Sequence, residues 1–282
     1  MDFIELLKVI ILGIIEGITE WLPVSSSGHI LLFDSLWGLD QSDAFKEIFL
    51  YFVQAGAIMA VIVLFFAKLC PFKLTAKSDA NGAPLKRKLY SDKKTWLLWA
   101  KIAVACIPAA VVGILFDMPD KPAVISVTLI LYGIAFILVE KRNENKSFPI
   151  QSTNELTYKH AVIIGFFQTL ALIPGTSRSG ATIIGALLIG ISRPAGAEFT
   201  FFLAIPVMLG ASAIKILKFI LSSGGFTGAE LGYLFIGTLV AFAVSLFVIK
   251  FLMNFVRKHD FKVFGYYRIA LGLLIVLLLI LL

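Results

Sequence analysis

Charged side chains are scarce in this sequence of 282 residues. Only 15% of the residues are Asp, Glu, Lys or Arg, whereas 59% are hydrophobic, and the mean hydropathy is +0.93. A soluble domain of this size leaves much of its surface in water and cannot bury so large an apolar fraction. The composition therefore excludes a soluble enzyme or binding module and predicts an integral membrane protein.

Cysteine is also rare, and a basic leader is missing. Cys70 and Cys106 follow no metal-ligand or redox spacing, so we interpret them as small apolar or interfacial residues and not as a disulfide. Residues 1–5 contain no basic side chain, and no small-residue cleavage site follows the first apolar run. We therefore expect the N-terminal segment to be retained and not to be a cleaved signal peptide.

Apolar runs occupy most of the chain, at about 3–22, 45–67, 96–116, 122–140, 160–173, 181–191, 197–221, 229–252 and 263–282. A run of about 20 residues can span a bilayer core of about 30 Å. Two regions differ, because the first run carries charges and breaks at Pro23, and the pieces on either side of Pro174–Gly180 are each too short to cross. We interpret both regions as re-entrant helix–turn–helix hairpins, which leaves six membrane spans.

The basic residues predict the orientation of these spans. The net charge is +7, but Lys and Arg concentrate in the links at 68–94, 141–159 and 254–262. By contrast, the link at 34–47 is mostly acidic and that at 222–230 has no basic residue. Six spans place every basic link in the cytoplasm and both termini outside, whereas eight would place 254–262 outside. Because the basic residues serve to orient the protein in the membrane, we expect the bilayer to be its partner and expect no binding of nucleic acid.

The two halves of the chain resemble each other. Glu16 and Gln168 occupy equivalent places at an interval of 152 positions, and Ser26 and Arg178 have the same interval. Inverted repeats of this kind place broken helices face to face near the middle of the bilayer. We therefore predict an all-α polytopic membrane protein with six transmembrane helices and two re-entrant hairpins in an inverted-topology repeat. It forms a single membrane domain of residues 1–282, with halves of about 1–140 and 141–282.

The first hairpin carries paired carboxylates. Glu16 and Glu20 share one helix face and lie about 6 Å apart along the axis. Two carboxylates so close in a low-dielectric site hold a cation between them, or one of them holds a proton. The alternative is a solvated helix end, since Trp21 is a residue type common at membrane interfaces.

Three serines and a histidine follow in the same hairpin. One of Ser25, Ser26 and Ser27 is expected to cap the next helix, but three exceed what a cap needs. His29 lies about one turn beyond Ser26 and could act as a general base or as a covalent nucleophile. The alternative for a lone histidine is a structural role.

The second hairpin carries a cation. Arg178 stands in a glycine-flanked turn, and the planar donors of a guanidinium match a phosphate. Exposed amides at a helix N-terminus would add to anion binding. The alternative is an internal salt bridge from Arg178 to Glu16 or Glu20.

Other polar side chains are candidates for binding the same anion. In addition to Arg178, we predict substrate binding by Ser25, Ser27, Ser177, Ser179, Thr182 and Gln54. Gln54 lies in the middle of a span, where hydrogen bonding to the site and simple helix packing are equally good interpretations.

Acids, hydroxyls, an imidazole and an arginine together suit phosphoryl transfer from a membrane-embedded substrate. The rival hypothesis is a transporter of a phosphate-bearing lipid, because secondary transporters also use inverted repeats with broken helices. A pure carrier would not need a nucleophile beside paired carboxylates, which favours the enzyme. A purely structural membrane protein would leave the intramembrane charges unexplained.

The motifs at 16–29 and 174–182 carry a family resemblance that extends over essentially the whole chain. The sequence resembles the undecaprenyl-diphosphate phosphatases of bacteria, also known as bacitracin-resistance proteins. The resemblance implies hydrolysis of undecaprenyl diphosphate to the monophosphate, which recycles the lipid carrier of peptidoglycan synthesis. It also implies a divalent cation, Mg²⁺ or Ca²⁺, and a cavity open to the periplasmic or outer face of the cell membrane. The residues that it implicates are Glu16, Glu20, Ser26, His29 and Arg178.

These observations combine into one mechanistic hypothesis. Arg178 binds the phosphates, Glu16 and Glu20 hold the metal or shuttle a proton, and Ser26 attacks the terminal phosphorus with assistance from His29. The alternatives are His29 as the nucleophile or direct attack by an activated water. The sequence does not give the oligomeric state, for which a homodimer is one hypothesis.

Overall fold

The structure is a computed structural model that describes residues 2–74, 89–115, 118–119, 121–223 and 225–281. Part of the basic link that we predicted to be cytoplasmic, residues 75–88, lies outside the described residues. The helices are α1 Phe3–Thr19, α2 Ser26–Trp37, α3 Asp43–Leu64, α4 Phe66–Leu69, α5 Lys93–Leu115, α6 Pro122–Asn143, α7 Tyr158–Thr169, α8 Arg178–Leu188, α9 Arg193–Ser223, α10 Gly228–Phe255 and α11 Lys262–Leu281. Short 3₁₀ turns cover Thr153–Glu155 and Leu170–Leu172, and two strands, β1 Phe72–Leu74 and β2 Leu89–Ser91, pair antiparallel.

Six of these helices are long and apolar enough to cross a membrane, namely α3, α5, α6, α9, α10 and α11. This confirms an all-α polytopic membrane protein. The strands β1 and β2 were not predicted, and they lie in the link that follows α3 and α4. Lys73 of β1 donates a hydrogen bond to Asp92, and this contact, with a second from Thr95, lowers the pKa of Asp92 to about 2.

The two broken regions each form a helix–turn–helix hairpin. In the first, α1 has 17 residues and α2 has 12; in the second, α7 has 12 and α8 has 11. A helix of about 20 residues is needed to cross a bilayer, so none of the four crosses easily alone. Each hairpin turns at a proline, Pro23 or Pro174, which cannot continue a helix because it lacks an amide hydrogen. Entry and exit on the same membrane face remain predictions.

The turns of the two hairpins have the same local geometry. Ser25 and Ser177 cap α2 and α8 with positive φ angles of 76° and 67°, and no other non-glycine residue in the described ranges has a positive φ. Their side chains accept hydrogen bonds from the amides of Gly28 and Gly180 at 3.4 and 3.3 Å. A positive φ in a residue other than glycine costs about 1–3 kcal/mol and persists only where surrounding contacts enforce it. The two caps share the predicted repeat interval.

Glycines at the same interval allow each hairpin to pack closely on a long helix. A Cβ on Gly13 of α1 would lie 2.8 Å from the carbonyl oxygen of Gly237 on α10. A Cβ on Gly165 of α7 would lie 2.4 Å from the carbonyl oxygen of Ala105 on α5. The two hairpin helices therefore pack against α10 and α5 with backbones in direct contact.

Candidate active site

The turns of the two hairpins meet at Glu20 and Arg178. Arg178 is the first residue of α8, and its Nη2 donates to Glu20 Oε1 at 3.1 Å. Ser179 Oγ donates to the backbone oxygen of Glu20 at 3.3 Å. Only 11% of the Arg178 side chain and 10% of the Glu20 side chain are exposed. The internal salt bridge that we gave as the alternative for Arg178 is thus present, and its acidic partner is Glu20.

Ser26 joins this pair from the first residue of α2. Its Oγ donates to Glu20 Oε2 at 3.2 Å, so one carboxylate contacts both the hydroxyl and the guanidinium. Ser26 is partly exposed, whereas its neighbour Ser25 is fully buried. The hydroxyl group that can reach a ligand is therefore the one whose proton Glu20 can accept.

Glu16 lies one helical turn before Glu20 and is only 1% exposed. Neither of its carboxylate oxygens has a hydrogen-bond partner in the described part of the chain. The solvated helix end that we considered is wrong, because Glu16 and Trp21 are both buried and Trp21 packs edge-to-face on Phe201 at 5.3 Å. A buried carboxylate without a partner is costly unless it binds a proton or a cation.

These oxygens fit a divalent cation in part. Mg²⁺ and Ca²⁺ take oxygen ligands, and Mg²⁺ commonly uses one or two carboxylates with phosphate oxygens and water. Among the described residues no group of three or more His, Cys, Asp and Glu could hold a metal alone. A cation at Glu16 and Glu20 would therefore need further ligands from the substrate or from water.

His29 makes its hydrogen bonds outside the group formed by Glu20, Ser26 and Arg178. Its Nδ1 lies 2.7 Å from the backbone oxygen of Ser25, and its Nε2 lies 2.6 Å from the hydroxyl of Tyr267. A carbonyl oxygen only accepts, so Nδ1 carries the proton and Nε2 of the neutral ring accepts from Tyr267. Within the described chain, the hydrogen bonds of His29 thus lead to Ser25 and Tyr267 and not to Ser26. Its assistance to Ser26 remains a prediction.

The remaining predicted residues have three kinds of contact. Ser25, Ser177 and Thr182 make structural hydrogen bonds, with Thr182 Oγ1 donating to the backbone oxygen of Arg178 at 2.9 Å. Ser27 and Gln54 instead line a cavity, and Ser179 contacts the first hairpin as described. Substrate binding by all six remains a prediction.

The cavity has a volume of about 700 Å³ and lies beside the first hairpin. Its lining includes the polar side chains of Ser26, Ser27 and Gln54 and apolar side chains such as those of Leu31 and Phe33. Charged side chains also line it, namely Asp34, Lys46, Glu47 and Lys215. A cavity with this mixed lining suits a ligand that has both a charged head and an apolar tail.

Two residues of α11 that contact the hairpins were missed by sequence reasoning. Tyr267 holds His29, and Arg268 is fully buried against the turns of both hairpins. The available signal was a single arginine inside the apolar run 263–282, since an ionisable residue within a membrane span is a functional candidate by default.

This chain is similar to known proteins over nearly its whole length. A family model described as bacitracin resistance protein BacA matches residues 9–274. The undecaprenyl-diphosphatase of Enterococcus faecalis is 56% identical over 283 residues, which cover 99% of this chain and 98% of that protein. The undecaprenyl-diphosphatase of Lachnoclostridium phytofermentans is 53% identical, with 98% and 97% covered. Undecaprenyl-diphosphatase 1 of Clostridium acetobutylicum is 52% identical, with 96% of each chain covered.

Proposed function

The chain belongs to the family of the bacitracin resistance protein BacA, and we propose that its two hairpin turns form the active site at which it hydrolyses undecaprenyl diphosphate. The products are undecaprenyl phosphate and inorganic phosphate. The reaction recycles the lipid carrier of peptidoglycan synthesis and confers resistance to bacitracin. The observation that carries the placement of the site is the contact of Glu20 with both Ser26 and Arg178.

The prenyl tail and the diphosphate need different surroundings. The apolar side chains that line the cavity suit the tail, and the hydroxyl groups of Ser26 and Ser27 suit the head. The N-termini of α2 and α8 lie at Ser26 and Arg178, where free amides and the positive end of the helix dipole favour phosphate. The diphosphate thus binds between Ser26 and Arg178.

Phosphoryl transfer follows from these contacts. Ser26 Oγ attacks the terminal phosphorus, and its proton passes to Glu20 Oε2, its hydrogen-bond partner at 3.2 Å. The bond from the terminal phosphorus to the bridging oxygen breaks, and undecaprenyl phosphate leaves. Water then attacks the phosphoserine, releases inorganic phosphate and restores the hydroxyl of Ser26. Arg178 neutralises charge on the transferred group once substrate competes for its contact with Glu20.

A divalent cation would be held by Glu16 and Glu20. It supplies charge neutralisation for the phosphate oxygens when it is bound. Glu16 is available for this role because both of its oxygens lack a partner in the described chain.

The location of the site in the cell is part of the same proposal. The protein is a multi-pass membrane protein, with six helices of sufficient length and apolarity. The basic links favour the bacterial cell membrane with the site facing outward and both termini outside. The homodimer stays a hypothesis, because the structure contains a single chain.

The decisive experiment is phosphate release from a polyprenyl diphosphate by the purified protein in detergent. The assay compares wild type, Ser26→Ala and Arg178→Ala, with Mg²⁺ or Ca²⁺ and with EDTA. Ser35→Ala, on the exposed side of α2, and Arg257→Ala, an exposed arginine, are the matched controls. We expect metal-dependent release that is lost in the first two variants and kept in both controls. No release from folded wild type would favour the transporter, which lipid translocation in vesicles would then test.

Trapping of a phosphoenzyme identifies the nucleophile. An acid-stable phosphate on Ser26 supports the mechanism above. An acid-labile phosphate on His29 would mean that His29 and not Ser26 is the nucleophile. The absence of any phosphoenzyme during turnover would indicate direct attack by water.

A further inference from the structure

Arg268 of α11 is a buried cation without a counter-ion. It is 0% exposed, and it forms no ion pair with any described carboxylate. Its guanidinium lies 5.6 Å from the ring centre of Tyr132 on α6. A charge so placed is costly to bury, so its retention in an apolar helix calls for a function.

The hydrogen bonds of Arg268 lead to both hairpins. Nη1 donates to the backbone oxygen of Pro23, in the first turn, at 3.2 Å. Nη2 donates to the backbone oxygens of Gly175 and Thr176, in the second turn, at 2.9 and 2.8 Å. One side chain therefore connects two turns that are far apart in the sequence.

These carbonyl groups lie one or two residues before the two strained caps. Pro23 lies two residues before Ser25, and Thr176 directly precedes Ser177, the two non-glycine residues with positive φ. Strained backbone persists only where its surroundings enforce it. The residue after each cap is Ser26 or Arg178, so fixing the turns also fixes the two side chains that meet at Glu20.

We propose that Arg268 is a positioning residue that holds the two turns in register, so that Ser26 and Arg178 meet at one carboxylate. This inference rests on the proposed function for its catalytic consequence but not for its structural one. Three hydrogen bonds of the terminal nitrogens go to carbonyl groups of the turns, whereas Nε has no partner in the described chain. The side chain is fully buried and does not line the cavity, so we assign Arg268 to the turns and not to the phosphate.

Thr128 of α6 provides a matched control. Its Oγ1 donates to the backbone oxygen of Pro174 at 2.6 Å and thus holds the second turn alone. Thr128→Val keeps the shape of the side chain and removes this contact to the second turn, together with the contacts of Oγ1 to the backbone oxygens of Val124 and Ile125 in its own helix. Arg268→Met removes the hydrogen bonds to both turns, and Arg268→Lys keeps the charge but not the planar fork that reaches both.

The test is hydrogen–deuterium exchange of the detergent-solubilised protein, read by mass spectrometry in the segments 22–28 and 174–180. We expect Arg268→Met to increase exchange in both segments, Arg268→Lys to do so more weakly, and Thr128→Val to increase exchange in the second segment only. The helices α5 and α10 should be unchanged. If Arg268→Met does not fold, Arg268→Lys decides the question by the same comparison. Unchanged exchange at 22–28 in the folded variant would overturn the proposal.

Kinetics give the second reading. Displacement of the reacting groups by about 1 Å can reduce the rate about 100-fold, so we expect a loss of that order in kcat for Arg268→Lys with KM changed by less than about threefold. A rise in KM with unchanged kcat would make Arg268 a substrate-binding residue and contradict the proposal. Hydrogen–deuterium exchange is measured without turnover. If the protein proves not to be the proposed enzyme, the exchange result would therefore still show whether Arg268 holds the two turns, so the two failures can be distinguished.

Discussion

Arg178 and Glu20 are 158 positions apart in the chain, yet Nη2 of one lies 3.1 Å from Oε1 of the other. Each stands at the end of a helix beside the turn of its hairpin, and each side chain is about nine-tenths buried. The ion pair therefore joins the turns of the two hairpins, at the place where we propose that the substrate head binds. Before substrate arrives, it compensates two charges that would otherwise be buried alone.

Removal of one partner should destabilise the protein more than removal of both. Arg178→Ala leaves the carboxylate of Glu20 buried without its cation, which we expect to cost about 2–4 kcal/mol. Adding Glu20→Gln to that variant removes the uncompensated charge and should recover about 1 kcal/mol or more. The apparent melting temperature in detergent, followed by tryptophan fluorescence, measures this cycle. Losses that simply add would contradict coupling between the two side chains.

Glu16→Gln tests the proposed metal site separately from the contacts of Glu20 with Ser26 and Arg178. The substitution replaces a carboxyl group whose two oxygens have no partner in the described chain with a neutral amide, which is a weaker ligand for a divalent cation. We expect the Mg²⁺ concentration for half-maximal phosphate release to rise at least about tenfold.

The same substitution has a readout that does not require activity. Divalent metal should raise the melting temperature of wild type, since a ligand that binds the folded state stabilises it, and should raise that of Glu16→Gln much less. Glu144→Gln, which alters a carboxylate that is 59% exposed, is the control and should behave as wild type. A wild type that neither melts higher with metal nor loses activity in EDTA would remove Glu16 from any metal site.

Gly165 tests the packing of the second hairpin. An added Cβ would lie 2.4 Å from the carbonyl oxygen of Ala105, so Gly165→Ala should destabilise the protein by about 1–3 kcal/mol. In α9, a Cβ on Gly210 would have no heavy atom within 4 Å, and Gly210→Ala should be neutral or stabilise by up to about 1 kcal/mol. Melting temperatures of the two variants make the comparison. Equal effects would mean that α7 does not pack closely on α5.

Much of the site could be predicted because its residues are concentrated in two short motifs at a constant interval. The motif residues Glu20, Ser26 and Arg178 do meet, and the caps Ser25 and Ser177 follow the same interval. Their spacing within each hairpin is local, and local spacing is what a sequence pattern reports.

The residues that hold the hairpins from outside were not predictable in this way. Arg268 contacts Pro23 across 245 positions, and Tyr267 contacts His29 across 238. Both lie in an apolar helix whose pattern does not indicate which of the other helices it will face. For the same reason the exposure of Trp21 could not be judged, because its burial depends on Phe201 in α9.

Two single cysteines on either side of α10 can test whether the second hairpin crosses the membrane. In a background with Cys70→Ala and Cys106→Ala, Ser222→Cys and His259→Cys place one thiol before α10 and one after it, both at exposed positions. Six spans with two re-entrant hairpins put Ser222 outside and His259 in the cytoplasm with its basic neighbours Arg257 and Lys258. A membrane-impermeant maleimide should then label Ser222→Cys in right-side-out vesicles, and His259→Cys only after permeabilisation. With the 68–94 link in the cytoplasm, the reverse pattern would mean that the second hairpin crosses the membrane completely, and its turn could then not be re-entrant as the predicted inverted repeat requires.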